Sequence, residues 1–73
     1  MYSKIGYAIK TEDGVYLWVE KDRLGLDIEE QDTPEGALIW DKQEAEDIRF
    51  HAQQQIGKKC HLVAFELTEM ESL

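Results

Sequence analysis

Three side chains that could bind a metal or act as a nucleophile lie within the stretch HAQQQIGKKCH, residues 51–61. They are His51, Cys60 and His61, and the 73-residue chain contains no other histidine or cysteine. A cysteine with a histidine base forms a nucleophilic pair, and thiolate with imidazole is a common zinc-ligand set. Either chemistry requires that the elements carrying these residues bring them together.

The predicted elements keep the three residues apart. Cys60 and His61 begin a stretch of alternating apolar residues, which predicts a strand whose neighbouring side chains leave opposite faces. His51 lies on the flank of a predicted helix, and the chain contains no CxxC or HxxxH pair. We therefore predict no catalytic residue, no metal site and no cofactor, with Cys60 as a small hydrophobic residue and His61 at the edge of the core.

Composition indicates one small soluble domain. The chain is 42% hydrophobic and 33% charged, and its longest apolar runs are too short to span a bilayer. The first ten residues lack the apolar stretch of a signal peptide, and a lone cysteine is typical of a reducing compartment. We predict a single cytoplasmic domain over residues 1–73 without membrane contact, ending in a frayed tail over residues 68–73.

Acidic residues are concentrated between positions 27 and 47. This stretch carries nine carboxylates against one lysine, and the whole chain has a net charge of −8. Direct nucleic-acid binding requires a basic face, so we predict none. The charge favours a protein partner with a cationic surface, and solubility alone is the alternative explanation.

The first half of the chain predicts a β-hairpin. Apolar residues alternate over residues 5–9 and 15–19, and a three-residue loop with Gly14 left-handed brings their aliphatic side chains onto one face. The predicted cross-strand pairs are Thr11 with Val15, Ile9 with Leu17, and Tyr7 with Val19.

The second half predicts an edge strand, a helix and a last strand. Leu24, Leu26 and Ile28 alternate as in an edge strand, residues 32–36 form a turn, and ALIW (residues 37–40) is a short strand. Asp41 is the predicted N-cap of a helix that ends at Gly57, with Trp40 and Ala45 in hydrophobic-staple positions. The apolar stripe of this helix is Ala45, Ile48, Ala52 and Ile56.

These elements predict an α+β fold, a small and mostly antiparallel sheet of three to four strands with one helix packed on one face, in the order ββ(β)βαβ. In the last strand, the odd-numbered residues 61–67 are assigned to the core side and Cys60, Leu62 and Ala64 to the other side. The predicted core consists of Ile5, Tyr7, Ile9, Val15, Leu17, Val19, Ala45, Ile48, Ala52, Ile56, Val63 and Phe65.

The predicted register leaves large aromatic side chains outside this core. Tyr16 and Trp18 fall on the sheet face away from the helix, where residues 21–36, a second copy or a target protein could cover them. Phe50 lies about 140° from the apolar stripe of the helix, among acidic residues. The predicted partner-binding residues are Tyr16, Trp18, Phe50, Asp27, Glu29, Glu30, Glu46 and Asp47.

The layout YAIK…DGVYLWVE…ALIWDKQEAEDI…HLVAFEL resembles the short accessory proteins encoded by phages and prophages of Gram-positive bacteria. The stretch KDRLGLDIEEQDTPEG departs from that pattern. The resemblance implies a small binding protein directed at host or phage, and inhibitors of restriction or CRISPR defence are among such proteins. We predict a non-enzymatic, homodimeric protein-interaction module. A DNA-mimicking inhibitor of a nucleic-acid-binding or defence protein is the alternative, and a small enzyme or metal-binding protein comes third.

Overall fold

Four antiparallel strands form one sheet, and a single helix packs on one of its faces. The computed structural model describes residues 2–69, with side-chain burial for residues 4–67. The elements are β1 (Tyr2–Thr11), β2 (Tyr16–Asp22), β3 (Gly25–Gln31), α1 (Lys42–Ile56) and β4 (Cys60–Glu69). The strand order in the sheet is β3-β2-β1-β4. The predicted α+β class is confirmed.

The first hairpin has the predicted loop. Gly14 adopts a φ of 91°, in the left-handed region that favours glycine, and its amide donates to the Thr11 carbonyl at 3.0 Å. The Thr11 amide donates to the Val15 carbonyl at 2.9 Å, and Ile9 lies opposite Leu17. Ile9 and Leu17 are fully buried at the centre of the core, so the predicted register holds at this end of the hairpin.

Further along β1 the predicted register is wrong. Tyr7 does not pair with Val19, because the segment before the helix takes that place: Ile39 accepts from the Tyr7 amide and donates to the Tyr7 carbonyl, both at 2.8 Å. The predicted strand over residues 37–40 is reduced to this one bridge. Strands β1 and β2 therefore pair only near the Gly14 loop, and β2 pairs with β3 along its whole length.

The acidic segment after β2 forms an edge strand, as predicted. Strand β3 pairs with β2 from Asp22–Gly25 to Tyr16–Gln31, with Leu26 and Ile28 packed against the core cluster. Leu24 is an exception, since it lies in the connecting turn and is 99% exposed. Because β3 continues the sheet, it does not fold back over Tyr16 and Trp18.

The helix begins and ends where the sequence predicts. Asp41 has an extended backbone, and its carboxylate accepts from the Gln43 amide at 2.9 Å. Gly57 closes the helix with a φ of 71°. The predicted stripe faces the sheet, with Ala45, Ile48 and Ala52 buried. No helix within residues 2–69 is long and apolar enough to cross a membrane.

The face of strand β4 that packs toward the helix is opposite to the one predicted. Cys60 and Leu62 pack against the helix side, whereas Val63 and Phe65 lie on the other face, opposite Ala8 and Gly6. Residue size explains this choice. On the face away from the helix, the large residues of β4 meet the two small residues of β1, and on the helix face the small Cys60 and Ala64 meet Thr11 and Tyr7.

Two further predictions need correction at the far end of β1. Ile5 was assigned to the core but is 48% exposed. Thr68 and Glu69, assigned to a frayed tail, belong to β4 and pair with Ser3 and Tyr2. The rest of that predicted tail, residues 70–73, lies outside the described residues.

Removing the N-cap acceptor should destabilise the fold measurably. We expect Asp41→Ala to lower the free energy of unfolding by about 1 kcal/mol, because the Gln43 amide loses its acceptor. Asp41→Asn keeps an acceptor oxygen and should stay within a few tenths of a kcal/mol of the unsubstituted protein. Urea unfolding followed by circular dichroism measures both. An equal loss in the two variants would assign the effect to the charge rather than to the cap.

Candidate functional site

The sheet face opposite to the helix carries most of the large aromatic side chains. We call it the open face, and its apolar residues are Tyr16, Trp18, Leu38, Trp40, Val63, Phe65 and Leu67. Trp18, Trp40 and Leu67 are 38%, 47% and 47% exposed. Exposed aromatic residues on one side of a small domain are typical of protein-binding surfaces.

Local backbone geometry positions these rings. The bridge between Tyr7 and Ile39 points Ile39 into the core, so Leu38 and Trp40 must leave on the open face. There they flank Gly6: a Cβ at this position would lie 3.0 Å from a Trp40 ring carbon and 3.2 Å from Leu38 Cβ. The missing side chain at Gly6 thus provides the space in which Trp40 packs.

A second contact joins rings across β1. The ring centroids of Tyr16 and Phe65 lie 6.2 Å apart at an interplanar angle of 53°, within the range of favourable aromatic pairs. Ala8, on the same face, is fully buried, which shows that its larger neighbours cover it. The open face is therefore a packed apolar surface rather than a set of isolated rings.

Two lysines lie over rings of the open face. Lys4 Nζ is 4.7 Å from the centroid of Trp40, and Lys10 Nζ is 5.2 Å from the centroid of Tyr16. Both distances are typical of cation–π interactions. Tyr16 and Trp40 thus each have a cation from the same chain.

Trp18 has carboxylates around it instead. Glu29 lies directly opposite on β3, and the next pair on the same face is Glu20 with Asp27. The four residues line a small cleft of about 50 Å³, here called the tryptophan cleft. Within residues 4–67, no lysine or arginine lies within ion-pair distance of these three carboxylates.

The structure divides the predicted partner-binding residues between two sides of the molecule. Tyr16, Trp18, Asp27 and Glu29 share the open face. Glu30 points to the helix side, where it lies opposite Leu17 and its carboxylate is 3.9 Å from Lys58 Nζ.

The remaining predicted residues lie on the exposed side of the helix. Phe50 is 47% exposed and makes an edge contact with His51 at 5.5 Å between centroids. Glu46 lies 3.7 Å from Arg49, and Asp47 is exposed beside it. Because the helix covers the other sheet face, Phe50 and Trp18 cannot contribute to one flat contact.

Sequence reasoning missed part of the open face. The sequence predicts Trp40 in a hydrophobic staple and Phe65 in the core, and Glu20 is not among the predicted partner-binding residues. The predicted register already places Gly6 and Ala8 on the face of Tyr16 and Trp18. Two small residues at alternating positions of a strand leave room for large neighbours on that face, which is the signal for Trp40 and Phe65.

The residues with nucleophile or metal-ligand chemistry do not meet. Cys60 is buried under the helix end, and its thiol donates to the Lys58 carbonyl at 3.4 Å. His61 is exposed on the open face rather than at the core edge, and His51 is exposed on the helix. Burial raises the pKa of the Cys60 thiol, with nearby Arg49 opposing the shift. No group of three metal-ligating side chains occurs in the described part of the chain.

Comparison with models of protein families, with curated proteins and with solved structures finds no match to this chain.

Cys60 should behave as a packing residue. We expect its alkylation by iodoacetamide at about pH 8 to be at least about tenfold slower in the folded protein than in the urea-unfolded chain, because burial limits access and disfavours the thiolate. Mass spectrometry of timed samples measures the rate, and Cys60→Ala gives the background. A folded protein that reacts faster than the unfolded chain would indicate an activated nucleophile.

Proposed function

We propose that the protein is a non-enzymatic interaction module that binds another protein through the open face. The observation that carries this proposal is the exposure of Trp18, Trp40 and Leu67 on one face whose other side is occupied by the helix. Tryptophan and tyrosine are favoured anchors of protein interfaces because they bury a large area at a low cost in side-chain entropy.

Chain size supports the same proposal. A domain of 73 residues buries a smaller fraction of its surface than a larger one. It can therefore leave little apolar area uncovered on its exterior. A partner bound to the folded state also adds stability by mass action. A partner bound to the open face would bury the apolar side chains that lie outside this small core.

Net charge favours another protein as the occupant over a second copy. Each chain carries −8, so pairing two copies brings like charges together, whereas a partner with basic groups is attracted. The homodimer and the phage origin predicted from the sequence stay predictions. The split of carboxylates between the open face and the helix gives the DNA-mimic alternative less support, since one groove would meet only one of these sides.

Trp18 should be required for binding, and Phe50 should not. We expect Trp18→Ser to reduce capture of partner proteins on immobilised protein by about tenfold or more, as for an interface hot spot. Phe50→Ser removes an aromatic residue of similar exposure from the opposite side and is the matched control. Quantitative mass spectrometry compares the captured proteins, and thermal unfolding confirms that both variants fold. Equal capture by the Trp18 variant would contradict the proposal.

Sedimentation velocity tests whether a second copy of the chain covers the open face instead. With another protein as the partner, the purified chain should sediment as a monomer at micromolar concentration. A dimer that dissociates in Trp18→Ser and persists in Phe50→Ser would instead show that a second copy covers the open face.

A further inference from the structure

We propose that the tryptophan cleft accommodates an arginine side chain of the partner protein, with the guanidinium stacked on Trp18 and hydrogen-bonded to the carboxylates around it. This inference rests on the proposed function and specifies the chemistry of the partner. Its basis is charge complementarity around Trp18, together with the lysines that the chain itself places over the rings of Trp40 and Tyr16.

The chain itself pairs cations with two of the other open-face rings. Lys4 lies over Trp40 and Lys10 over Tyr16, at 4.7 Å and 5.2 Å from the ring centroids. Within the side chains that the structure describes, Trp18 has no such cation. An aromatic face attracts a cation through its quadrupole, and this attraction grows when the pair is shielded from water in an interface.

The carboxylates increase this preference. Glu29 is the direct cross-strand partner of Trp18, which places the two Cβ atoms roughly 5 Å apart. Glu20 and Asp27 form the next pair on the same face and complete the cleft. Glu30, Asp13, Glu44 and Glu46 each have a lysine or arginine within 4.0 Å. Among residues 4–67, the three cleft carboxylates have none, so the chain supplies no counter-ion to the cleft.

Arginine fits this arrangement better than lysine. Its planar guanidinium can stack on an indole ring while its edge N–H groups point outward to carboxylates in the surrounding plane. A lysine ammonium is a compact, strongly hydrated charge that cannot stack and bond at its edge in this way. The cleft therefore matches an arginine-bearing segment of a partner protein.

Binding of a defined peptide tests the inference. The probe is a blocked hexa-arginine peptide, titrated into ¹⁵N-labelled protein at about 0.15 M salt so that long-range attraction is screened. The chain has two tryptophans, and both lie on the open face. We expect the indole N–H resonance of Trp18 to shift more than that of Trp40, with assignment by Trp18→Phe. A hexa-lysine peptide should bind more weakly, by about threefold or more.

Matched triple variants separate the cleft from the overall charge. Glu20→Gln, Asp27→Asn and Glu29→Gln together neutralise the cleft, whereas the control neutralises Glu44, Glu46 and Asp47 on the helix with the same types of substitution. Both change the net charge equally. We expect the cleft variant to weaken hexa-arginine binding by about tenfold and the helix variant by less than about twofold. Should the cleft triple unfold, Glu29→Gln against Glu46→Gln provides the same comparison.

Four results would overturn the inference. Equal weakening in both triple variants would assign binding to the overall charge, and equal affinity for hexa-lysine would remove the preference for arginine. A Trp18 resonance that shifts with protein concentration alone would mean that a second copy occupies the cleft. If the peptide fails to bind while partner capture still depends on Trp18, the arginine site is wrong and the proposed function stands.

Discussion

Two hydrogen bonds between the backbones of Tyr7 and Ile39 organise this small fold. They place the segment before the helix beside β1, in the position that β2 would occupy if the first hairpin ladder continued. The same bridge turns Ile39 into the core and sends Trp40 onto the opposite face, one residue before the helix cap at Asp41. The entry to the helix and the composition of the open face thus follow from a single backbone contact.

The resulting sheet has two differently built faces. Aliphatic side chains and the helix stripe form the core on one side, and the other side is a layer of aromatic rings packed over Gly6 and Ala8. A second face of this kind retains exposed apolar area that a single helix cannot cover. Its charges are ordered as well, with lysines over the rings of Trp40 and Tyr16 and carboxylates around Trp18.

The acidic stretch serves more than one purpose because tertiary structure separates its members. Glu30 contributes to an ion-pair network in which Lys58 also contacts Asp13 at 2.9 Å, and Asp41 caps the helix. Asp27 and Glu29 face outward beside Trp18. Net charge alone could not distinguish these roles, since residues adjacent in the sequence alternate between the two faces of β3.

Local signals in the sequence were sufficient for the hairpin loop at Gly14, for the helix from Asp41 to Gly57 and for the placement of Trp18 away from the core. Each depends on residues close together in the chain. Tertiary structure alone decided which face of β4 is buried and what lies beside Tyr7. Both faces of β4 are apolar, so the alternation of its residues does not indicate which face packs against the helix. Size matching with Gly6 and Ala8 on the neighbouring strand decides it. Such matching depends on which strands become neighbours, which local patterns do not encode.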